Sequence, residues 1–378
     1  MSMLNEARRG SITDDRDRSF MGRVKEILPW KGDSIKELIR KAVFIGAVCV
    51  LAYSAYDAYI YNFGSKTMIN DQEHLSELYN GVTPPAVTTA PEVKPDGAQP
   101  DTPEPDTPDA QPEGDAPQTD LPVSKYPVGM SSNFEQLYDI NPDIVGWIKV
   151  DGIFLEDTDT LAINYPVVFG IDNDHYLHYD FFGNEADYGT LFTDCRATVS
   201  GEDRSSNVTI YGHNMKTEYY FHHLRDYNRT SPTFVSEHRL VEFDTLYSQD
   251  QYIIFGCFLV SIHEKDDNQP IFRYHNCVEF NTEADFDYWY KNVLYRNYYK
   301  TDIECTSSDE YLTLSTCAYD ISDSRFVIVA RKLREGEDPA AYTYLQNPDR
   351  HMPAKWYKAY GYTVPEDDGP NYEAYVPE

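Results

Sequence analysis

The sequence predicts a mainly β domain that closes into a barrel, preceded by one apolar helix and a disordered spacer. Two observations carry the prediction. Eight runs rich in Tyr and β-branched residues, at 143–150, 161–169, 189–193, 208–211, 240–246, 252–262, 311–316 and 326–332, are separated by Gly, Asn and Asp turns. Many short strands at such spacing suit a closed all-β architecture. Ahead of them, an apolar run is followed by a stretch dominated by Pro, Asp, Glu, Thr and Ala, which has too little apolar surface to fold.

Along the chain, residues 1–41 are polar and carry both charge signs, ending in Arg40-Lys41 directly before Ala42-Val-Phe-Ile-Gly-Ala-Val-Cys-Val-Leu-Ala-Tyr-Ser-Ala-Tyr56. That run is shorter than the ~20 residues of a spanning helix. It extends through Ala58-Tyr-Ile-Tyr61, with Asp57 near the outer interface and the tyrosines as an aromatic belt. A membrane anchor over 42–61 is expected, and the Lys/Arg density before it places the N-terminus in the cytoplasm and the rest outside the cell. The rival, a cleaved signal peptide with Ala52-Tyr-Ser54 as its cleavage motif, normally has a far shorter segment before the run. Residues 62–130 read as stalk and linker. Within them 70–79 can form a short helix, and the prolines of 82–122 make a semi-extended spacer.

The folded domain is expected over 131–334. Helices are expected at 133–137, at 219–227 where Phe221 and Leu224 are three apart, and most clearly at 282–296. In the last, Phe286, Trp289, Tyr290, Val293 and Leu294 form an apolar helical stripe. Thr282 with Asp285 has the form of a capping box, although Glu or Gln is the better partner. The extension 335–378 contains Trp356-Tyr-Lys-Ala-Tyr-Gly-Tyr362 and is too aromatic for a solvated tail. It is expected to pack on the barrel, the alternative being to bind a wall component or partner.

With 63 Asp and Glu against 32 Lys and Arg, the net charge is −31. This argues against a nucleic-acid partner, which needs a basic face. Of six cysteines, Cys49 lies in the apolar run and five follow. An odd number outside the cytoplasm is compatible with a free thiol, for which Cys317 is the candidate, and leaves disulfides among the other four open. The chain has no CxxC pair, and His222-His223 and His263-Glu264 lack metal-ligand spacing, so neither a metal nor another cofactor is expected.

The chemistry is concentrated in Tyr311-Leu-Thr-Leu-Ser-Thr-Cys317, a strand that delivers a thiol, followed eight residues later by Arg325 at the start of another strand. About a hundred residues earlier, Asn207-Val-Thr-Ile-Tyr-Gly-His213 ends an apolar strand in an imidazole. A cysteine attacks a carbonyl as the thiolate, favoured by nearby positive charge. His213 can protonate a departing amine and later take a proton from an incoming one. Arg325 keeps its proton, so its role is electrostatic, toward a developing oxyanion. Alone, each has an ordinary reading: Cys317 a small buried hydrophobe, His213 a loop histidine, Arg325 a salt-bridge partner. The constellation is what points to acyl transfer.

Thr313-Leu-Ser-Thr-Cys317, Tyr211-Gly-His213 and Arg325 resemble the catalytic set of the sortases, membrane-anchored cysteine transpeptidases of Gram-positive bacteria. Four further segments resemble the class B type: Asn141-Pro-Asp-Ile-Val-Gly-Trp-Ile148, Ile163-Asn-Tyr-Pro-Val-Val168, Asp172-Asn-Asp-His-Tyr-Leu177 and Gly189-Thr-Leu-Phe-Thr-Asp194. The resemblance covers 133–333 and implies the eight-stranded sortase barrel with peripheral helices, the long helix at 282–296 serving as a groove wall. It implies cleavage after Thr in a sorting motif, of NPQTN or SPxTG form, on secreted proteins with a C-terminal sorting signal. Transfer to an amine of cell-wall precursor or pilin would follow. By the same resemblance Ser315 faces the substrate, with Thr316, Asn164 and Tyr165 as further groove residues. The residue after the cysteine, often acidic in class B, is here Ala318, with Asp320 two further on. The alternatives are a hydrolytic cysteine peptidase, and a surface binding or scaffold protein that has kept the motifs without activity.

Overall fold

The computed structural model describes residues 27–81 and 125–366, apart from 30, 157, 200, 202–203 and 229–230. The expectations for the first 26 residues, for most of the Pro/Asp-rich linker and for the last twelve residues lie outside the described residues. The chain divides into two compact units, Met1–Thr67 and Met68–Glu378.

Helix α1, Ile35–Tyr79, is continuous for 45 residues. The sequence reading placed an anchor and a separate short helix here. No Pro lies between Tyr61 and Asn70, and Gly64 by itself weakens a helix without ending it, so the two are one element. Its segment Ile35–Tyr56 is long and apolar enough to cross a membrane, at ~1.5 Å per residue about 33 Å. This span begins seven residues earlier than the expected anchor, because Ile35, Leu38 and Ile39 add apolar surface among the charges before Ala42.

The second unit is built on a closed barrel. In chain order its strands are β1 (Ile144–Phe154), β2 (Leu161–Phe169), β3 (Leu191–Thr193), β4 (Asn207–Tyr211), β5 (Leu240–Thr245), β6 (Gln249–Ser261), β8 (Tyr311–Ala318) and β9 (Ser324–Lys332). Around the barrel the order is β1-β2-β3-β4-β8-β9-β6-β5, and β5 pairs with β1 to close it. Each of the eight predicted runs becomes one of these strands. Closure leaves no unpaired edge for another chain. β2–β3 and β4–β8 pair parallel, and the rest antiparallel. The interior is filled by Ile148, Ile163, Val167, Val208, Ile210, Val241, Phe243 and their neighbours. β8 is buried along Tyr311–Thr316, as its apolar sequence and its position between β4 and β9 require.

Helix α4, Glu283–Arg296, follows α2 (Glu135–Ile140) and α3 (Thr233–Glu237). It opens with the predicted box: Asp285 N–H donates to Thr282 Oγ1 at 3.3 Å and Thr282 N–H donates to Asp285 Oδ2 at 2.6 Å. Its stripe is rotated from the expected one. Phe286, Trp289 and Val293 are buried, but Leu294 is exposed, while Asn292 and Arg296 are buried and hydrogen-bonded to each other at 2.8 Å. Trp289 packs against Phe255, Phe280 and Tyr311.

Residues 335–366 return to the barrel. Glu337 receives both oxygens' hydrogen bonds from buried Arg331, at 2.9 and 3.0 Å. β10 (Tyr344–Gln346) pairs antiparallel with β7 (Tyr299–Thr301), and α5 (Ala354–Ala359) follows. Buried His351 bonds the Asp267 carboxylate at 3.0 and 3.1 Å and the Tyr295 hydroxyl at 3.1 Å. All six cysteines are free thiols.

Candidate active site

Strand register brings the thiol to the guanidinium. Cys317 and Arg325 are directly opposite in the antiparallel β8–β9 pair, a relation that sets Cβ atoms ~5 Å apart. Both are half-buried. Arg325 Nη1 donates to its neighbour's carbonyl, Ser324 O, at 3.3 Å.

The imidazole arrives along β4, which runs parallel to β8 with Tyr211 opposite Ser315. Gly212 N–H donates to Ser315 O at 3.2 Å, Thr316 Oγ1 donates to Gly212 O at 2.8 Å, and Asn214 Nδ2 donates to Cys317 O at 2.9 Å. Three bonds thus tie the segment around His213 to the strand that carries the thiol. Gly212 permits this approach, because a Cβ there would stand 2.7 Å from Phe221 Cδ2 and closer still to Leu191. His213 Nε2 lies 3.0 Å from Leu177 O. A carbonyl only accepts, so Nε2 carries the hydrogen and Nδ1 is the free basic atom of the neutral ring.

Cys317, His213 and Arg325 line one cleft of about 400 Å³, together with Ser315 and Thr316. Its opposite wall is Ile271–His275, from the loop between β6 and α4. That loop, rather than the long helix expected to form the groove wall, faces the thiol, since α4 spends its apolar face on the core. Tyr274 OH and Ser315 Oγ are 2.6 Å apart. Burial pushes Tyr274 up to about 12, with the Ser315 bond and the Arg325 charge opposing it, so the phenol stays neutral.

A buried carboxylate holds the loop in place. Asp194, fully buried, accepts from Arg196 at 2.7 and 2.8 Å, from Tyr211 OH at 2.7 Å and from Asn173 Nδ2 at 3.1 Å. Burial opposes its ionisation, but these bonds outweigh burial and hold the carboxyl below its ordinary range. Arg196 then donates to His275 O and Asn276 Oδ1, both at 2.8 Å. Burial, then the Arg196 charge, depress His275, which is therefore neutral near pH 7.

Asn164 and Tyr165 do not reach this cleft. Asn164 accepts from Trp147 Nε1 at 2.7 Å and donates to Ser76 Oγ at 3.3 Å. Tyr165 is buried, stacks on Tyr220 and accepts from Tyr220 N–H at 3.0 Å. Both serve the packing of Met68–Tyr79 and the β4–α3 connection on the barrel. Ser315 and Thr316 line the cleft, but their hydroxyls are committed to Tyr274 and Gly212. Sequence reasoning missed Tyr274, Asn214 and the Asp194–Arg196 clamp. The motifs ending in Leu177 and Asp194 flagged their segments without revealing that one supplies the carbonyl under His213 and the other anchors the facing loop. Among the described residues no cluster of three or more His, Cys, Asp or Glu could hold a metal.

No model of a protein family matches the chain. It is 30% identical over 203 residues to sortase B of Staphylococcus aureus, covering 53% of this chain and 75% of that protein. The chain belongs to the class B sortases. Sortase B of Listeria monocytogenes is also 30% identical, over 181 residues, 48% of this chain and 65% of that one. Similar solved structures include a Staphylococcus aureus sortase B–substrate complex, at 29% identity and TM-score 0.46 over 55% of this chain and 88% of that one. Another is Clostridium perfringens sortase B, at 28% and 0.44 over 53% and 98%. This sortase is a cysteine transpeptidase.

Proposed function

We propose that Cys317 is the nucleophile, His213 the proton carrier and Arg325 the fixed positive charge of a transpeptidation that cleaves a sorting motif after Thr. The observation that carries this reading is the pairing of Cys317 with Arg325 in register, both lining one cleft with His213. The Cys317 thiolate adds to the threonine carbonyl carbon, and the oxyanion develops beside the Arg325 guanidinium. As the C–N bond breaks, protonated His213 gives the Nδ1 proton to the departing amine, while Leu177 O keeps the ring oriented through Nε2. The C-terminal fragment leaves, and the thioester waits for an amine of cell-wall precursor or pilin. The substrates in this reading are secreted proteins with a C-terminal sorting signal. The helix Ile35–Tyr56 anchors the enzyme in the cell membrane, with the catalytic unit outside and the N-terminus in the cytoplasm.

The test is mass spectrometry of the full chain in detergent with NPQTN- and SPxTG-type peptides, with and without a glycine-type or diaminopimelate-type amine. A thioester adduct on Cys317 that becomes an amide only when amine is present is the expected result. An adduct lost to water at the same rate with or without amine makes the enzyme a hydrolase. A folded protein that acylates with no peptide overturns the reading.

A further inference from the structure

The wall that faces the thiol, Ile271–His275, is fastened at both ends. At its far end Arg196 holds His275 O and Asn276 Oδ1, within the part of the chain that the sortase resemblance covers. At its near end the fastening comes from the C-terminal extension, beyond that part. His351 Nε2 meets both oxygens of Asp267 at 3.0 and 3.1 Å, and Asn268 Nδ2 donates to Pro365 O at 3.2 Å. Lys355 Nζ reaches Asp266 Oδ2 at 2.8 Å but stays 30% exposed, so water replaces most of what it gives.

The Asp267–His351 contact is different in kind, because both side chains are buried, 2% and 3% exposed. A carboxylate only accepts, so Nε2 carries the hydrogen of this bond. The same carboxylate accepts from Asn268 N–H at 2.8 Å and Gln269 N–H at 3.4 Å, which shapes the first turn of the loop. His351 is itself set on α4. Its N–H donates to Tyr295 O at 2.9 Å, its ring stacks on Tyr295, and Nδ1 lies 3.1 Å from that hydroxyl. Next along the loop, Pro270 O accepts from Arg296 Nη2, in the last turn of the same helix, at 3.1 Å. Burial of Phe272 against Phe258 holds the wall down, but apolar burial is non-directional. The hydrogen bonds at its ends fix where the wall stands.

We propose that the C-terminal extension is a positioning element for the sorting-peptide cleft, with His351 acting through Asp267 on the wall Ile271–His275. The inference rests on the transpeptidase reading and deepens it, because the peptide is what lies between this wall and Cys317. Without the imidazole, a carboxylate that is 2% exposed loses a donor and must reach water to recover one. The turn at 267–269 then lifts, and Ile271, close along the chain, moves with it. Cys317, His213 and Arg325 stand across the cleft on β8, β9 and the end of β4, and keep their places. His351 is therefore a positioning residue: it sets how tightly peptide is held and leaves the reactivity of the thiol alone.

Two measurements on the full chain in detergent test this. The first is amide hydrogen exchange: His351→Ala should speed exchange over 268–276 ~10-fold or more and leave β8 as in wild type. The second compares turnover of sorting peptide with alkylation of Cys317 by iodoacetamide. The KM for peptide should rise ~10-fold, with kcat and the alkylation rate within about twofold of wild type. His351→Gln, which keeps a donor for Asp267, should recover most of the affinity. Tyr295→Phe removes the hydroxyl beside Nδ1 and should give the same pattern at ~3-fold; it carries the test if His351→Ala does not fold. Exchange over 268–276 equal to wild type, exchange that rises equally in β8, or an unchanged KM in a folded variant overturns the inference. A wild type that acylates with no peptide while the exchange pattern holds counts against the transpeptidase reading and leaves the positioning standing.

Discussion

Two clefts lined from the ends of β8 and β9 are built in opposite ways. The first has one wall made of paired strands, with Cys317 and Arg325 in register and His213 tied in by three hydrogen bonds, and its apolar far wall is a loop held by a buried carboxylate. The second, lined by Ala318 and Phe326 at the strand ends, by loop residues and by Tyr360, is polar, and half-exposed Lys355 fastens the loop between its two strands. Chemistry that tolerates no misplacement sits on the ladder, where neighbouring bonds over-determine each position. Surfaces that are free to vary sit on connections, which change without disturbing the barrel.

The strongest way to break the contrast is to empty the centre of the first cleft. Cys317→Ala is expected to lower transpeptidation ~10³-fold or more with the circular dichroism spectrum unchanged; wild-type turnover by the folded variant would remove Cys317 from the mechanism. Arg325→Lys follows, with a loss of ~10²–10³-fold in the rate of thioester formation, because a compact ammonium does not replace a planar fork. A rate within a few fold of wild type would mean that Arg325 does not meet the oxyanion.

Asp194→Asn sharpens the comparison from the first cleft's side. It leaves Arg196 and the half-buried Tyr211 without their anionic acceptor, and is expected to cost about 1–3 kcal/mol and to raise the KM for sorting peptide more than for amine. The sign of its pH dependence follows from the depressed carboxyl. The stabilisation is present above the ordinary carboxylate range near ~4 and is lost as pH falls through the lower folded value. Urea melts should therefore show the variant's deficit at pH 7 and pH 5, closing only in stronger acid; a deficit that vanishes by pH 5 would contradict the clamp. The smallest effect belongs to the second cleft. Lys355→Met removes a partly exposed tether and is expected to cost less than ~1 kcal/mol, read as a small fall in the urea midpoint with the KM for peptide unchanged. A midpoint lowered as far as by Asp194→Asn would mean that this tether supports the whole unit rather than one loop.

All eight barrel strands could be read from the chain because their pattern is local. β-branched runs and Gly, Asn and Asp turns act within a few residues, and the Thr282–Asp285 box needs only one turn of helix. The β7–β10 pair could not be read, since each strand has three residues and they meet across more than forty positions. Asn164 and Tyr165 show the same limit. Their motif marks a segment, but which side of β2 faces the thiol depends on partners as distant as Ser76 and Tyr220.

By itself the sequence determined which residue types can do the chemistry, the strands that carry them and the apolar helix that precedes them, because reactivity and periodicity are properties of short stretches. Only the tertiary structure decided that Cys317 stands opposite Arg325, that Leu177 O orients His213, that Tyr274 closes on Ser315, and that Tyr360 reaches the loop after the cysteine. Those relations depend on strand register and loop path, which are settled when distant segments bury one another's surfaces.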